Sequence, residues 1–385
     1  MRFTKRMTAA AVGVTAAVAG GGTAAAVAVE REDLERAGRE RPVVLNDSFI
    51  SPLTETFGDV RVGRGVFVAS NSTVRADPGR RVCIGDETNL QDNVLLLALS
   101  GSSRSSYCGP RSASTAERVS IAHQAEIRNS KIGNFTFIGF RARLRNVTLS
   151  DGAFVLHGAT LTNVRIPRDR LVPVGAVIRT QREANALPRK ADGNSEFQEE
   201  VLEVNKEFAE EYQDLYREEG FNGVTGAGPS PKTTFNRRGR SPRLGRGTTL
   251  ETFARVVGDV RIGASSTVGR RSSIRADEGT PIVIGANAEI EDRVTFHALK
   301  GTSLRVGDNL DTDDNVVFHG PLVVGDGLTI ADDAVLFRAN VGDNVNIGDS
   351  ALVIGPADEP LNIPSGTQIP DNARITTQAQ VDALR

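Results

Sequence analysis

Tryptophan is absent from this 385-residue sequence, and aromatic residues make up only 5% of it. Beside that scarcity stand 39 glycines, a composition that suits a repetitive, turn-rich β architecture better than a helical bundle. A strong basic excess is missing too: the formal net charge is −2, which argues against a nucleic-acid binder. Cysteine is scarce. Only Cys83 and Cys108 are available for a disulfide, and two free buried thiols is the other reading. Histidine occurs four times, at positions 123, 157, 297 and 319.

Residues 8–29 form one long run without charge, composed almost wholly of Ala, Val, Gly and Thr, behind Arg2, Lys5 and Arg6. A basic start, an apolar middle and the small residues Ala26 and Ala28 read as a secretory signal over 1–28, which predicts export. The run is also long enough for a membrane anchor, which would give membrane association through the N-terminus.

The rest of the chain repeats itself. Aliphatic residues recur every six positions at Val62, Val68, Val74 and then Ile84, Leu90, Leu96. Two hundred residues later the rhythm returns at Ile262, Val268, Ile274 and then Ile284, Ile290, Phe296. A period of six fits neither an amphipathic helix nor an alternating strand. It fits a parallel β-helix, in which three short strands make one coil and each strand points one aliphatic residue at the axis. A coil buries that residue only against the next coil, so a stack is required. The sequence thus predicts two β-helix domains, over 49–184 and 249–380.

Between them, Phe197, Val201, Val204, Phe208 and Leu215 share one face of an amphipathic helix over 185–220, with Ser195 and Gln198 as a capping box and Gly220 as a stop. Its apolar face is expected along the first β-helix. Residues 221–248, rich in Gly, Pro, Ser and Arg, read as a flexible linker.

Both halves carry an Arg-Ala-Asp: Arg75-Ala76-Asp77 in "STVRADPG" and Arg275-Ala276-Asp277 in "SSIRADEG". Further on stand "NLQDNVLLLAL" and "EIEDRVTFHAL", then "VSIAHQAEIRN" and "LDTDDNVVFHGP". This ordered series, about 130 residues in each half, resembles the gamma-class carbonic anhydrases. The resemblance implies left-handed parallel β-helices of hexapeptide repeat, packed as three-sided trimers, and a metal held by three histidines across an interface. Carried onto this chain, the three ligand slots hold Leu97, His123 and Arg128 in copy one, and His297, Asp314 and His319 in copy two. Neither set is complete, yet each role survives once. The resemblance therefore implies a metal on His297 and His319 of the second domain and His123 of the first, with Asp314 as the alternative third ligand. His157 matches no slot and reads as a surface or turn histidine.

The same resemblance implies Zn²⁺ as the cofactor, with Fe²⁺ or Co²⁺ also suited to imidazole, and CO₂ and bicarbonate as the small-molecule partners. Three neutral imidazoles with an open fourth position are the pattern of a catalytic zinc. Arg275 and Asp277 resemble the family's interface ion pair. Glu278 matches a carboxylate near the metal-bound water, and Glu291 takes the place of the family's usual Gln, which Gln91 keeps in copy one. Asp92 and Asp292 read as acceptors for turn amides. The expected protein is a carbonate dehydratase, a lyase, forming a homo-oligomer with trimer-like packing. The competing readings are a non-catalytic β-helix scaffold and a hexapeptide acyltransferase.

Overall fold

The computed structural model describes residues 43–44, 47–100, 105–106, 109–110 and 112–384. The segment 1–28 and Cys108 lie outside them. Cys83 is engaged in a disulfide. Among the described residues no helix is long and apolar enough to cross a membrane.

The six-residue rhythm folds as two parallel β-helices. Val60–Val62, Phe67–Val68 and Thr73–Ala76 lie on three different sheets, and Arg81–Ile84 returns to the first. Each sheet of the first β-helix has seven strands, and every pairing within it is parallel. In the second β-helix one side is again a seven-stranded sheet. The other two sides merge into a thirteen-stranded one through the long strands Val317–Val324 and Val335–Val341. The six-spaced aliphatics fill both axes: Val68, Leu90 and Leu96 are fully buried, as are Val268, Ile274 and Phe296. Phe296 and Phe318 stack inside with centroids 4.3 Å apart.

Corners between sheets need a left-handed residue in each coil. Asn71, Asn93, Gln124 and Arg141 supply it at one corner of the first β-helix; Arg271, Arg293, Asn315 and Asp333 do so in the second. At Gly58 and Gly258 (φ +76° and +85°) an added Cβ would lie 2.1 Å from the carbonyl oxygens of Ala76 and Ala276 respectively, so only glycine fits.

Helix α1 (Gln181–Ala186) opens with Thr180 and Glu183 in a capping box. Helix α2 (Asp192–Gly223) starts three residues before Ser195, and Gln198 lies buried in its first turns; the expected capping box there is corrected. Asn194 caps instead, its side-chain oxygen accepting from the Ala191 N–H. Val204, Phe208, Tyr212 and Leu215 pack on Phe49 and Phe67 of the first β-helix.

The expected flexible linker over 221–248 is likewise corrected. Ala227–Gly228 pairs with Arg255–Gly258, and Arg243–Leu244 pairs with Val260–Ile262. The reason is electrostatic. Arg255 is 1% exposed, and its guanidinium donates to the carbonyls of Gly223, Thr225 and Gly226. A buried cation needs those acceptors, so the segment is tied down.

Candidate metal centre

In the second β-helix, parallel register sets Arg275 beside His297 and His297 beside His319, on successive coils of one sheet. That face does not see solvent, because it packs on a corner of the first β-helix. Phe140 and Phe154 of that corner meet Val317, Val335, Phe337 and Leu352 in a shared apolar cluster. Polar contacts frame it. Gln124 Nε2 donates to the Arg293 carbonyl at 2.7 Å, and Arg141 Nη1 to the Asn315 carbonyl at 2.8 Å. His123 projects from this corner toward the two histidines of the facing sheet.

The three imidazoles converge. His297 Nδ1 lies 3.3 Å from His123 Nε2 and 3.2 Å from His319 Nε2. The residues are 1–3% exposed. A single ring proton cannot satisfy three mutually facing nitrogens. A tetrahedral ion with metal–nitrogen bonds of about 2.0–2.1 Å holds its ligand atoms roughly 3.3–3.4 Å apart; the two spacings from His297 match this, and all three ligand atoms lie within 4.8 Å of one another. Burial lowers the pKa of His123 to about 4 and that of His319 well below the ordinary value, keeping both neutral and able to ligate.

What lies behind each ring strengthens the fit. His319 Nδ1 donates to the Gly320 carbonyl at 3.0 Å, leaving Nε2 free for the centre. His123 Nδ1 has Asp92 Oδ2 at 3.3 Å, close but without good hydrogen-bond alignment. His297 Nε2 faces Glu278 Oε1 at 3.3 Å and Asp277 Oδ1 at 3.5 Å. A carbonyl or carboxylate behind every ring is how metal-ligating histidines have their tautomer fixed.

A buried ionic network underlies this ring. Arg275 donates to Asp92 at 2.8 Å, Asp277 at 2.6 Å and Gln91 Oε1 at 2.6 Å. Ser273 Oγ donates to Asp92 at 2.7 Å, and Tyr212 of α2 to Asp277 at 2.5 Å. Burial opposes ionisation of Asp92 and Asp277, but the Arg275 charge outweighs it and holds both carboxyls well below the usual range. Burial raises the Glu278 pKa, poising it to accept a proton. Gln91, Phe140, Phe197, Glu278, Leu299 and Arg338 border a cleft of about 670 Å³ over the histidines.

Several expected residues fall elsewhere. Glu291 is exposed, away from the cleft; the glutamine role expected at its position is available to Gln91, which bridges Arg275 and Asn205 of α2. Asp314 is exposed and accepts from the Asp292 N–H at 3.0 Å, so it is a turn acceptor rather than the alternative ligand. Both lie on the exposed side of the second domain's own corner. Asp292 accepts a turn amide, from Arg270. Asp92 does not, and its reading as a turn acceptor is corrected: it is fully buried between Arg275, Ser273 and His123. The retained "QD" at Gln91-Asp92, against Glu291-Asp292, was the available signal. His157 sits in a turn, one of its two expected settings, but not at the surface. It is 7% exposed and stacks on Phe140 at 4.2 Å. Its Nδ1 accepts from the Phe140 N–H, and burial lowers its pKa to about 3.

No family model matches the chain. By sequence it is 29% identical over 193 residues to the carbonic anhydrase of Methanosarcina thermophila, covering 45% of this chain and 75% of that protein. It is 30% identical over 165 residues to the carboxysome assembly protein CcmM of Nostoc, covering 41% of this chain and 29% of that one. The mitochondrial gamma carbonic anhydrase 1 of Arabidopsis thaliana matches at 31% over 102 residues, 26% of this chain and 34% of that protein. The chain thus spans about a third or less of the latter two. Two β-helices of six-residue repeat, with three histidines meeting where they join, accord with these matches: the chain is similar in sequence to carbonic anhydrases, a mitochondrial gamma carbonic anhydrase among them.

Proposed function

We propose that the chain is a carbonic-anhydrase-like lyase that hydrates CO₂ to bicarbonate at the seam between its two β-helices. The observation that carries the reading is the histidine cluster, assembled from both domains and backed at each ring by a carbonyl or carboxylate. His123, His297 and His319 would hold a divalent ion, zinc by default and iron or cobalt also suited. The chemistry supplied there is acidification of a water molecule to a pKa of about 7.

The chain's own residues would do the rest. Glu278, which lines the cleft over the histidines and is raised in pKa by burial, would receive a proton and pass it to the cleft mouth. Phe140, Phe197 and Leu299 make an apolar wall suited to CO₂. Asp277 and Arg275 keep the His297 side charge-balanced. The site closes within one chain, so no second copy is needed to complete it.

Metal content and CO₂ hydration, followed by stopped-flow proton release after loading with zinc, iron(II) or cobalt(II), test the reading. One ion per chain and activity are expected. His123→Ala and His297→Ala should each lose the ion and the activity, whereas Asp314→Ala should keep both. The Nostoc relative supports a second reading, a non-catalytic scaffold, and the two ligand slots filled by Leu97 and Arg128 favour it. A folded chain with no stoichiometric ion and no chelator effect would establish that one.

A further inference from the structure

The contact between the two β-helices joins unlike surfaces. A sheet face of the second domain (Arg275, His297, His319) covers a corner of the first (Asp92, His123, Phe140). Among the described residues, each domain therefore keeps one such surface uncovered. The first domain's equivalent face runs in register through Phe57, Arg75, Leu97, Arg128 and Arg145. Its counterpart in the second domain is buried throughout, yet here Phe57 is 53% exposed, Arg75 and Arg145 are exposed and Leu97 is only half-buried. The second domain's equivalent corner carries Glu291, Asp313, Asp314, Asp332 and Asp349, all exposed. Partial burial and the crowding of like charges raise the pKa of Glu291, Asp313 and Asp314.

These two open surfaces share an edge. Arg143 of the first face meets Asp333 of the second corner at 3.0 Å, and Arg271 of that corner pairs with Glu55 of that face. Thr73, Leu95, Arg293 and Asn315 line the notch between them. One body seated in the notch touches both domains, and repeating the existing unlike contact there closes a ring of three.

We infer that the notch receives a third, separate β-helix subunit, presenting an acidic corner to the arginine-bearing face and a basic face to the acidic corner. A second copy of this chain does not qualify. Its first domain has an open face but a covered corner, and its second domain has the reverse. This inference is independent of the metal reading, because the histidines lie at the opposite contact.

The test has two parts on the full-length chain. Light scattering of the purified protein is expected to give the mass of one chain. Cross-linking with mass spectrometry, in extracts of cells that make the chain, is expected to capture a partner at one-to-one stoichiometry whose sequence carries the six-residue aliphatic rhythm. Phe57→Glu, and separately Asp313→Lys with Asp349→Lys, should each reduce capture at least tenfold while metal content stays unchanged. A purified chain that self-associates and is dissociated by these variants overturns the inference. So does an extract yielding no hexapeptide-repeat partner, or capture that ignores both variants.

Discussion

Asp92 shows how much one side chain can organise. Its carboxylate takes the Arg275 guanidinium on one oxygen and the Ser273 hydroxyl on the other, with His123 against the same group. Asp92→Asn keeps the shape but removes the charge that balances Arg275 and orients the His123 ring. Metal affinity should fall about 10–100-fold, the usual effect of losing such a backing group, and the fold should weaken by about 3 kcal/mol for a broken buried ion pair. Competition with a chromophoric chelator and urea unfolding read the two effects separately; an affinity unchanged within twofold would contradict the orienting role. The histidines themselves were legible in sequence, because the motifs place His297 and His319 in strands and His123 at the turn that follows one. Asp92 was harder to read: its partners lie 181 and 183 residues away, and the local difference from Asp292, which does accept a turn amide, is the preceding Gln91 in place of Glu291.

At the scale of elements, helix α2 is a buttress for the site. Phe208 is 1% exposed, with its ring 5.4 Å from Phe67 and 5.6 Å from Tyr212, and Tyr212 holds Asp277. Phe208→Ala should cost about 3–5 kcal/mol through lost burial and the cavity left, read as a lowered urea midpoint. A loss under about 1 kcal/mol would mean that the helix is not packed as described. The helix and its apolar face follow from the spacing of Val204, Phe208 and Leu215. The ordered segment after it does not, since Gly, Pro and Arg-rich sequence looks the same free or fastened, and only the buried Arg255 makes its carbonyls indispensable.

For the whole molecule, the seam is where acid should act. Burial holds His123 at a pKa of about 4 and His157 at about 3, against about 6.5 in an unfolded chain. Both are neutral when folded, so their contribution is intact above pH 6.5 and is lost as the pH falls from there toward 4 and 3, because the unfolded chain binds the protons first. At pH 5.5 the metal-free protein should lose about 1.4 kcal/mol per histidine relative to pH 8. Urea midpoints at the two pH values check this, and a flat profile would contradict it. Carboxylates held as low as Asp92 and Asp277 act only below about pH 4, so the two windows separate. His157 belongs to this scale too: it lies in a turn, as one of its two expected settings has it, but nothing local signals that a second domain will bury it.

Because His123 and the His297–His319 pair are tethered in one polypeptide, they meet at an effective concentration on the order of millimolar or more, whatever the protein's abundance. A centre shared between separate subunits dissolves on dilution; this one does not, and its occupancy would track the supply of ion alone.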